Sequence, residues 1–126
     1  MGDNYFKNKK VVIIGASGNL GQAYTQAFFQ AGAHLFLLGR NMDKLASFSE
    51  DIASNIPICS VDITNETSIR VAVSEVQKWS DNIDIVVNAT GFDVRKSLLS
   101  HSEEEINQTM TINLIGAILV SKHFLP

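Results

Sequence analysis

Val11-Val12-Ile13-Ile14-Gly15-Ala16-Ser17-Gly18-Asn19-Leu20-Gly21 is the stretch on which the reading of this 126-residue chain turns. An unbroken β-branched run, with Lys9 and Lys10 before it and glycines after it, predicts a central strand buried on both faces. The glycines recur as G-x-x-G-x-x-G and open a helix in which Leu20, Tyr24, Ala27, Phe28 and Ala31 fall at helical spacing, the pattern of an apolar face. Strand, glycine turn and helix start let backbone N–H groups approach a diphosphate that any Cβ would hold off, and the helix dipole favours the negative charge. A dinucleotide site is therefore expected at Gly15, Ser17, Gly18, Asn19, Leu20 and Gly21. The spacing differs from G-x-G-x-x-G and lacks the Lys-Ser/Thr ending of a P-loop, which gives a nucleoside triphosphatase little support.

The rest of the chain repeats the alternation. His34 to Leu38 is a second apolar strand, about thirty residues into a strand–helix–strand unit of parallel-crossover length. Asn41 is a plausible N-cap for a helix through Lys44, Leu45, Phe48 and Ile52. After Pro57, Ile58-Cys59-Ser60-Val61 reads as a third strand ending at Asp62. Thr64 or Asn65 then caps a helix with Ile69, Ala72, Val73, Val76 and Trp79 on one face. Ile83 to Val87 is a fourth strand, and Phe92 to His101 a loop. Ser102-Glu103-Glu104-Glu105 has the capping-box pattern, with acids at the positive end of the dipole. That helix runs on through Leu125 to stop near Pro126, with Ile106, Met110, Leu114, Ala117 and Ile118 on one line and Ile112, Ile115, Leu119 and Val120 beside it. One line can cover a sheet; the other needs a partner. The fold class is an open parallel α/β sheet with helices on both faces, a single domain over residues 1–126.

Composition narrows the function. Hydrophobic residues at 45% and charged residues at 18% describe a globular chain, and no stretch reaches the ~20 apolar residues of a membrane span. Residues Met1 to Lys7 have no apolar signal core, which makes cytoplasm the expected location. A net charge of −3 argues against nucleic acid as a partner. Cys59, the single cysteine, reads as a small core residue, and His34, His101 and His123 lack the paired spacing of a metal site.

In such sheets ligands collect at the carboxyl ends of the strands. At the end of the second strand an NAD-selective site would carry a carboxylate for the ribose hydroxyls; this chain has Arg40, whose planar fork suits a 2′-phosphate. NADP(H) is therefore preferred, with NAD(H) possible. The alternative is a solvated Arg at a strand end; Lys44 adds charge one turn along or is simply exposed. Asp62 with Ile63 would set a carboxylate near an adenine amino group, or be a turn preceding Thr64. Asn88, Ala89, Thr90 and Gly91 offer small residues and backbone groups beside a cofactor ribose.

These separated motifs together resemble the N-terminal half of the short-chain dehydrogenase/reductase family. Gly15 to Gly21 is similar to its cofactor glycine motif, in the spacing of the extended and atypical branches, and Leu38-Gly39-Arg40-Asn41 with Lys44-Leu45 to its NADP-preferring strand end. Val61-Asp62-Ile63-Thr64 resembles the adenine-contacting segment, and Asn88-Ala89-Thr90-Gly91 the Asn-Asn-Ala-Gly motif with Ala and Thr at its middle positions. Thr111 to Gly116 resembles the family's fourth helix, where Asn113 matches the Asn of the catalytic tetrad.

The resemblance implies a Rossmann-like domain of an oxidoreductase acting on carbonyls or alcohols by hydride transfer. It also places the family's catalytic Ser and Tyr-x-x-x-Lys pair beyond residue 126, so this chain alone is expected to be inactive. Tyr5-Phe6-Lys7-Asn8-Lys9 fits that pair as a string, but it precedes the first strand and belongs at the amino edge. The family's further strands would flank the fourth one, and its fourth helix commonly joins subunits. A homo-oligomer or a complementing chain is thus expected at the fourth-strand edge and fourth helix. A non-catalytic nucleotide-binding module and a truncated product without activity remain the alternatives.

Overall fold

The computed structural model describes residues 5–125. Its elements run β1 (Lys10–Ile14), α1 (Asn19–Gln30), β2 (His34–Gly39), α2 (Met42–Ile52), β3 (Ile58–Ser60), α3 (Glu66–Trp79) and β4 (Ile85–Asn88). A short 3-10 turn (Leu98–Ser100) precedes α4 (Glu103–Met110), a π-helical turn (Thr111–Ile115) and α5 (Gly116–Phe124), the last three forming one continuous helical rod. All strand pairings are parallel, in the order β3-β2-β1-β4. The expected open α/β sheet is what forms.

The apolar run at 11–14 is continuous because both faces of β1 are covered. Val12 and Ile14 point into one core with Phe36, Leu38, Val61 and Ile63, under Ile69, Ala72 and Val76 of α3 and Ile112 and Val120 of the final rod. Val11 and Ile13 point into the other with Leu35 and Leu37, under Leu45 and Phe48 of α2. Alternate residues of one strand thus serve two cores, as a fully covered parallel strand requires. The rod turns Ile112, Gly116 and Val120 inward at four-residue spacing and leaves Ile106, Met110, Leu114, Ile115 and Ile118 exposed.

Several expectations shift. The inward face of α1 is not Leu20, Tyr24 and Ala27, which are exposed, but Gly21 and Thr25, with Phe28 half-buried. The reason is steric: a Cβ at Gly21 would lie 1.9 Å from the Gly15 carbonyl oxygen and 2.7 Å from its carbon. The helix sits so close to β1 that large side chains are forced outward. Asn65, not Thr64, caps α3, its side chain accepting from the Ser68 amide at 3.2 Å. β4 begins at Ile85 rather than Ile83, because the chain before it is held by Asp84, which accepts from the Lys10 amide at 2.8 Å. Cys59 is half-buried beside the first core, and burial pushes its thiol up. Pro126, where the last helix was expected to stop, lies outside the described residues.

One side-chain tie joins the rod to α3. Glu66 accepts from both Lys122 and His123 at 2.8 Å, and those two donors hold its carboxyl down at about 2.

Candidate functional site

At the carboxyl ends of the strands lies a cleft of about 390 Å³. Its floor comes from β1, where Ile14 passes into Gly15, Ser17 and Gly18. Gly15 adopts φ +78°, a left-handed conformation that favours glycine, and a Cβ there would meet Ala89 and Thr90 at 3.1 Å. That close approach brings the ends of β1 and β4 together. The Gly15 and Ala16 amides both donate to the Leu38 carbonyl, at 2.8 and 3.2 Å, and Ala89 donates to Ile14 at 2.8 Å. Three strand ends are stitched into one rim.

The α1 start faces this rim. Gly18 is its N-cap, provides no side-chain hydrogen bond, and no acidic residue stands in the first turn. The Ser17 carbonyl is taken by the Gln22 side chain at 2.8 Å. Among the described residues, the amides of Asn19, Leu20 and Gly21 donate to nothing. In contrast, Asn41 caps α2, Asn65 caps α3 and Ser102 caps α4, and each of these helices has an acid in its first turn. A helix end with unpaired amides and no acid in its first turn is the kind of terminus at which anions bind.

The turns after β3 and β4 share one device. Asp62 Oδ1 accepts from the Thr64 amide at 3.0 Å and from the Thr64 hydroxyl at 2.6 Å. Asn88 Oδ1 accepts from the Thr90 amide at 3.1 Å and from the Thr90 hydroxyl. Each turn is thus closed by its own side chain, as short Asx turns are. The Thr64 hydroxyl and amide, with the charge of Arg40 on the neighbouring strand end, hold the Asp62 carboxyl below the usual carboxylate range. Arg40, Asn41 and Lys44 line the mouth beside Asp62 and Thr64.

The cleft brings together Gly15, Ser17, Gly18, Arg40, Asn41, Asp62, Ile63, Ala89, Thr90 and Gly91 from the residues singled out in the sequence. Asn19, Leu20, Gly21, Asn88 and Asn113 do not line it. Gly21 is the packing contact beneath the turn, Asn88 holds Thr90, and Asn41 spends its side-chain oxygen on the Lys44 amide at 3.1 Å. Asn113 lies in the π-helical turn and bonds Phe92 from both ends of its amide: Oδ1 accepts from the Phe92 amide and Nδ2 donates to the Phe92 carbonyl, both at 2.8 Å. Its side chain therefore fixes the loop after β4. Phe92 and Ile112 also line the cleft and were not foreseen there; Val61 and Thr64 line it too, as the ends of the segment likened to the adenine-contacting one. For Thr64 the signal was present, since Asp-x-Thr after β3 repeats the Asn-x-Thr after β4.

Known proteins share this architecture. A family model described as short chain dehydrogenase matches residues 9–126. Dehydrogenase/reductase SDR family member 7B of Bos taurus is 31% identical over 131 residues, spanning 97% of this chain and 40% of that protein. The uncharacterized oxidoreductase YvrD of Bacillus subtilis is 29% identical over 98% of this chain and 48% of its own length. The chain thus spans about half the length of the curated relatives it matches. Among solved structures, the short-chain dehydrogenase/reductase (glucose/ribitol dehydrogenase) from Brucella melitensis superposes with a TM-score of 0.89 at 27% identity, over 96% of this chain and 52% of that one. The Pseudomonas aeruginosa RhlG/NADP active-site complex has the same fold, with a TM-score of 0.90 at 22% identity over 98% of this chain and 50% of that one.

Proposed function

The chain belongs to the short chain dehydrogenase family of oxidoreductases, which use a nicotinamide dinucleotide, and from that premise we propose that its cleft binds NADP(H) in preference to NAD(H). In this reading the chain is the cofactor half of an enzyme interconverting a carbonyl and an alcohol. The observation that carries it is the start of α1, uncapped and without an acid, opening on a glycine-lined cleft.

The residues present suit such a group. The amides of Asn19 and Leu20, with the Gly15–Gly18 turn, take the diphosphate, and the helix dipole adds to the attraction. Arg40, with Lys44 behind it, faces the 2′-phosphate. The Asp62 carboxylate, kept ionised by Thr64 and Arg40, accepts from the adenine amino group, and Ile63 walls that side. Asn88, Ala89, Thr90 and Gly91 sit beside the second ribose. When bound, the nicotinamide supplies or removes the hydride. Asn113 is a positioning residue here, since its amide is committed to Phe92.

Tyr5 and Lys9 stand before β1, at the amino ends of the strands and away from the cleft. The chain by itself is thus proposed to bind without turning over. The exposed row Ile106, Met110, Leu114 and Ile118, with the open edge of β4, is proposed to be covered by a second copy or a complementing chain.

The test is a titration of NADPH and NADH followed by nicotinamide fluorescence, repeated on Arg40→Ala. Losing a guanidinium–phosphate pair should weaken NADPH by roughly tenfold, ~1.4 kcal/mol, and leave NADH unchanged. An unaltered ratio would remove the 2′-phosphate role from Arg40.

A further inference from the structure

Gly116 opens α5 and is buried, and a Cβ built on it would stand 2.7 Å from Ile63 Cδ1 and 3.2 Å from Ile63 Cγ1. Ile63 therefore fills the space that a side chain at 116 would need. Helix propensity by itself favours alanine over glycine there, so the neighbour accounts for the glycine and the helix does not. Ile63 is 6% exposed and shares a core cluster with Val61, Ile69, Ile112 and Val120, so the side chain is hemmed in by the core and yields only toward the cleft it lines.

Ile63 is also the middle residue of the Asp62–Thr64 turn, and all three residues line the cleft. The turn is held from the α3 side by the Asp62 amide, which donates to Ser68 Oγ at 2.8 Å, and by the Asn65 amide, which donates to the Asp62 carbonyl at 3.1 Å. On the side of the rod its seat is the notch at Gly116.

We infer that Ile63 seated against Gly116 is a positioning device for the cleft: it sets how far the Asp62–Thr64 turn stands from α5, and so lets position 116 tune dinucleotide affinity without touching the dinucleotide. This rests on the cofactor reading above. Position 116 is separated from the proposed ligand by the whole Ile63 side chain, so an effect there has to travel through that contact.

The experiment uses the full chain with Gly116→Ala, Ile63→Val and the two combined, Ile63→Val deleting the methyl that the new Cβ would strike. NADPH affinity is measured alongside hydrogen exchange of the Thr64 and Asn65 amides without ligand. Overpacking the notch should weaken NADPH by roughly tenfold in Gly116→Ala, with faster exchange at both amides. The double variant should match Ile63→Val alone in both readouts, whatever affinity that single variant has, because the Cβ at 116 then has no methyl to strike. Parental affinity in Gly116→Ala, or a double variant that falls as far below Ile63→Val as Gly116→Ala falls below the parent, overturns the inference. If the parent binds no dinucleotide, the cofactor reading falls. The exchange data then decide the notch: faster exchange rescued by Ile63→Val supports it, and unchanged exchange overturns it.

Discussion

At the start of α4 the Ser102 hydroxyl accepts from the Glu105 amide at 3.1 Å while the Glu105 carboxylate accepts from the Ser102 amide at 2.9 Å, and Glu103 and Glu104 add charge to the same turn. At the start of α1, Gly18 contributes no side chain and the first turn holds no acid. Both are helix ends with the same positive pole. One answers that pole with its own sequence; the other leaves it unanswered, next to a turn whose glycines line the cleft. The difference teaches that a helix terminus closed by its own sequence and one left open are told apart by what is missing from the sequence as much as by what is present.

The strongest way to break the comparison is Gly21→Ala. Its new Cβ would sit 1.9 Å from a backbone oxygen, with no flexible side chain to yield, so α1 must lift off β1. A loss of about 3 kcal/mol or more is expected in denaturant unfolding, together with loss of dinucleotide binding. A stable, binding variant would show that close helix–strand packing is not what presents the amides.

Gly18→Asp sharpens the comparison by giving α1 the kind of cap α4 has. Gly18 has φ −76° and ψ 172°, extended backbone that any residue adopts, and its Cβ would meet the Gly15 oxygen at 3.4 Å. The ligand-free chain should gain about 0.5 kcal/mol. Dinucleotide affinity should fall by roughly a hundredfold, ~2.7 kcal/mol, as the new carboxylate occupies the amides and repels the diphosphate. Equal affinity in the two chains, measured by calorimetric titration, would place the diphosphate elsewhere.

The smallest effect is expected at α4. Ser102→Ala should cost about 1 kcal/mol of stability and leave dinucleotide affinity unchanged. The same cap has a pH signature. Lys96, at 2.7 Å, and the Ser102 amide hold the Glu105 carboxyl down at about 2, against an ordinary 4.5. A carboxylate depressed in the folded state contributes fully above its ordinary pKa and loses that contribution as pH falls toward the folded value. Between about pH 4.5 and 2, therefore, Glu105→Gln should flatten part of the acid destabilisation, read from thermal unfolding at stepped pH.

What could be read from the sequence follows the range of the interaction that decides it. The Ser102–Glu105 box lies within one helical turn, and β1 announces itself by an unbroken apolar run; both were legible. The inward face of α1 was not, because periodicity counts large side chains and the contact with β1 is made by the absence of one at Gly21. Leu20 at 63% exposure and Tyr24 at 40% show the size of that misreading. The cleft's glycines and strand-end residues were found where a motif named them. Phe92 and Ile112 arrive from a loop and from a rod distant in sequence, and nothing local marks either as a neighbour of Gly15. The π-helical turn that lets Asn113 grip Phe92 has no signature in apolar spacing, since it shifts the spacing itself.

The strand order β3-β2-β1-β4 also has a kinetic meaning. β1 and β2 are separated by little more than one helix, whereas β1 waits for β4 until some seventy further residues have been threaded past. Loop closure of that span is the slower event. The glycine turn can therefore be shaped early, by the first crossover, while Ala89 and Thr90 close over it only at the end. A nascent chain would carry the amides before it carried the wall, and the last strand pairing to form is the one that brings Ala89 and Thr90 to them.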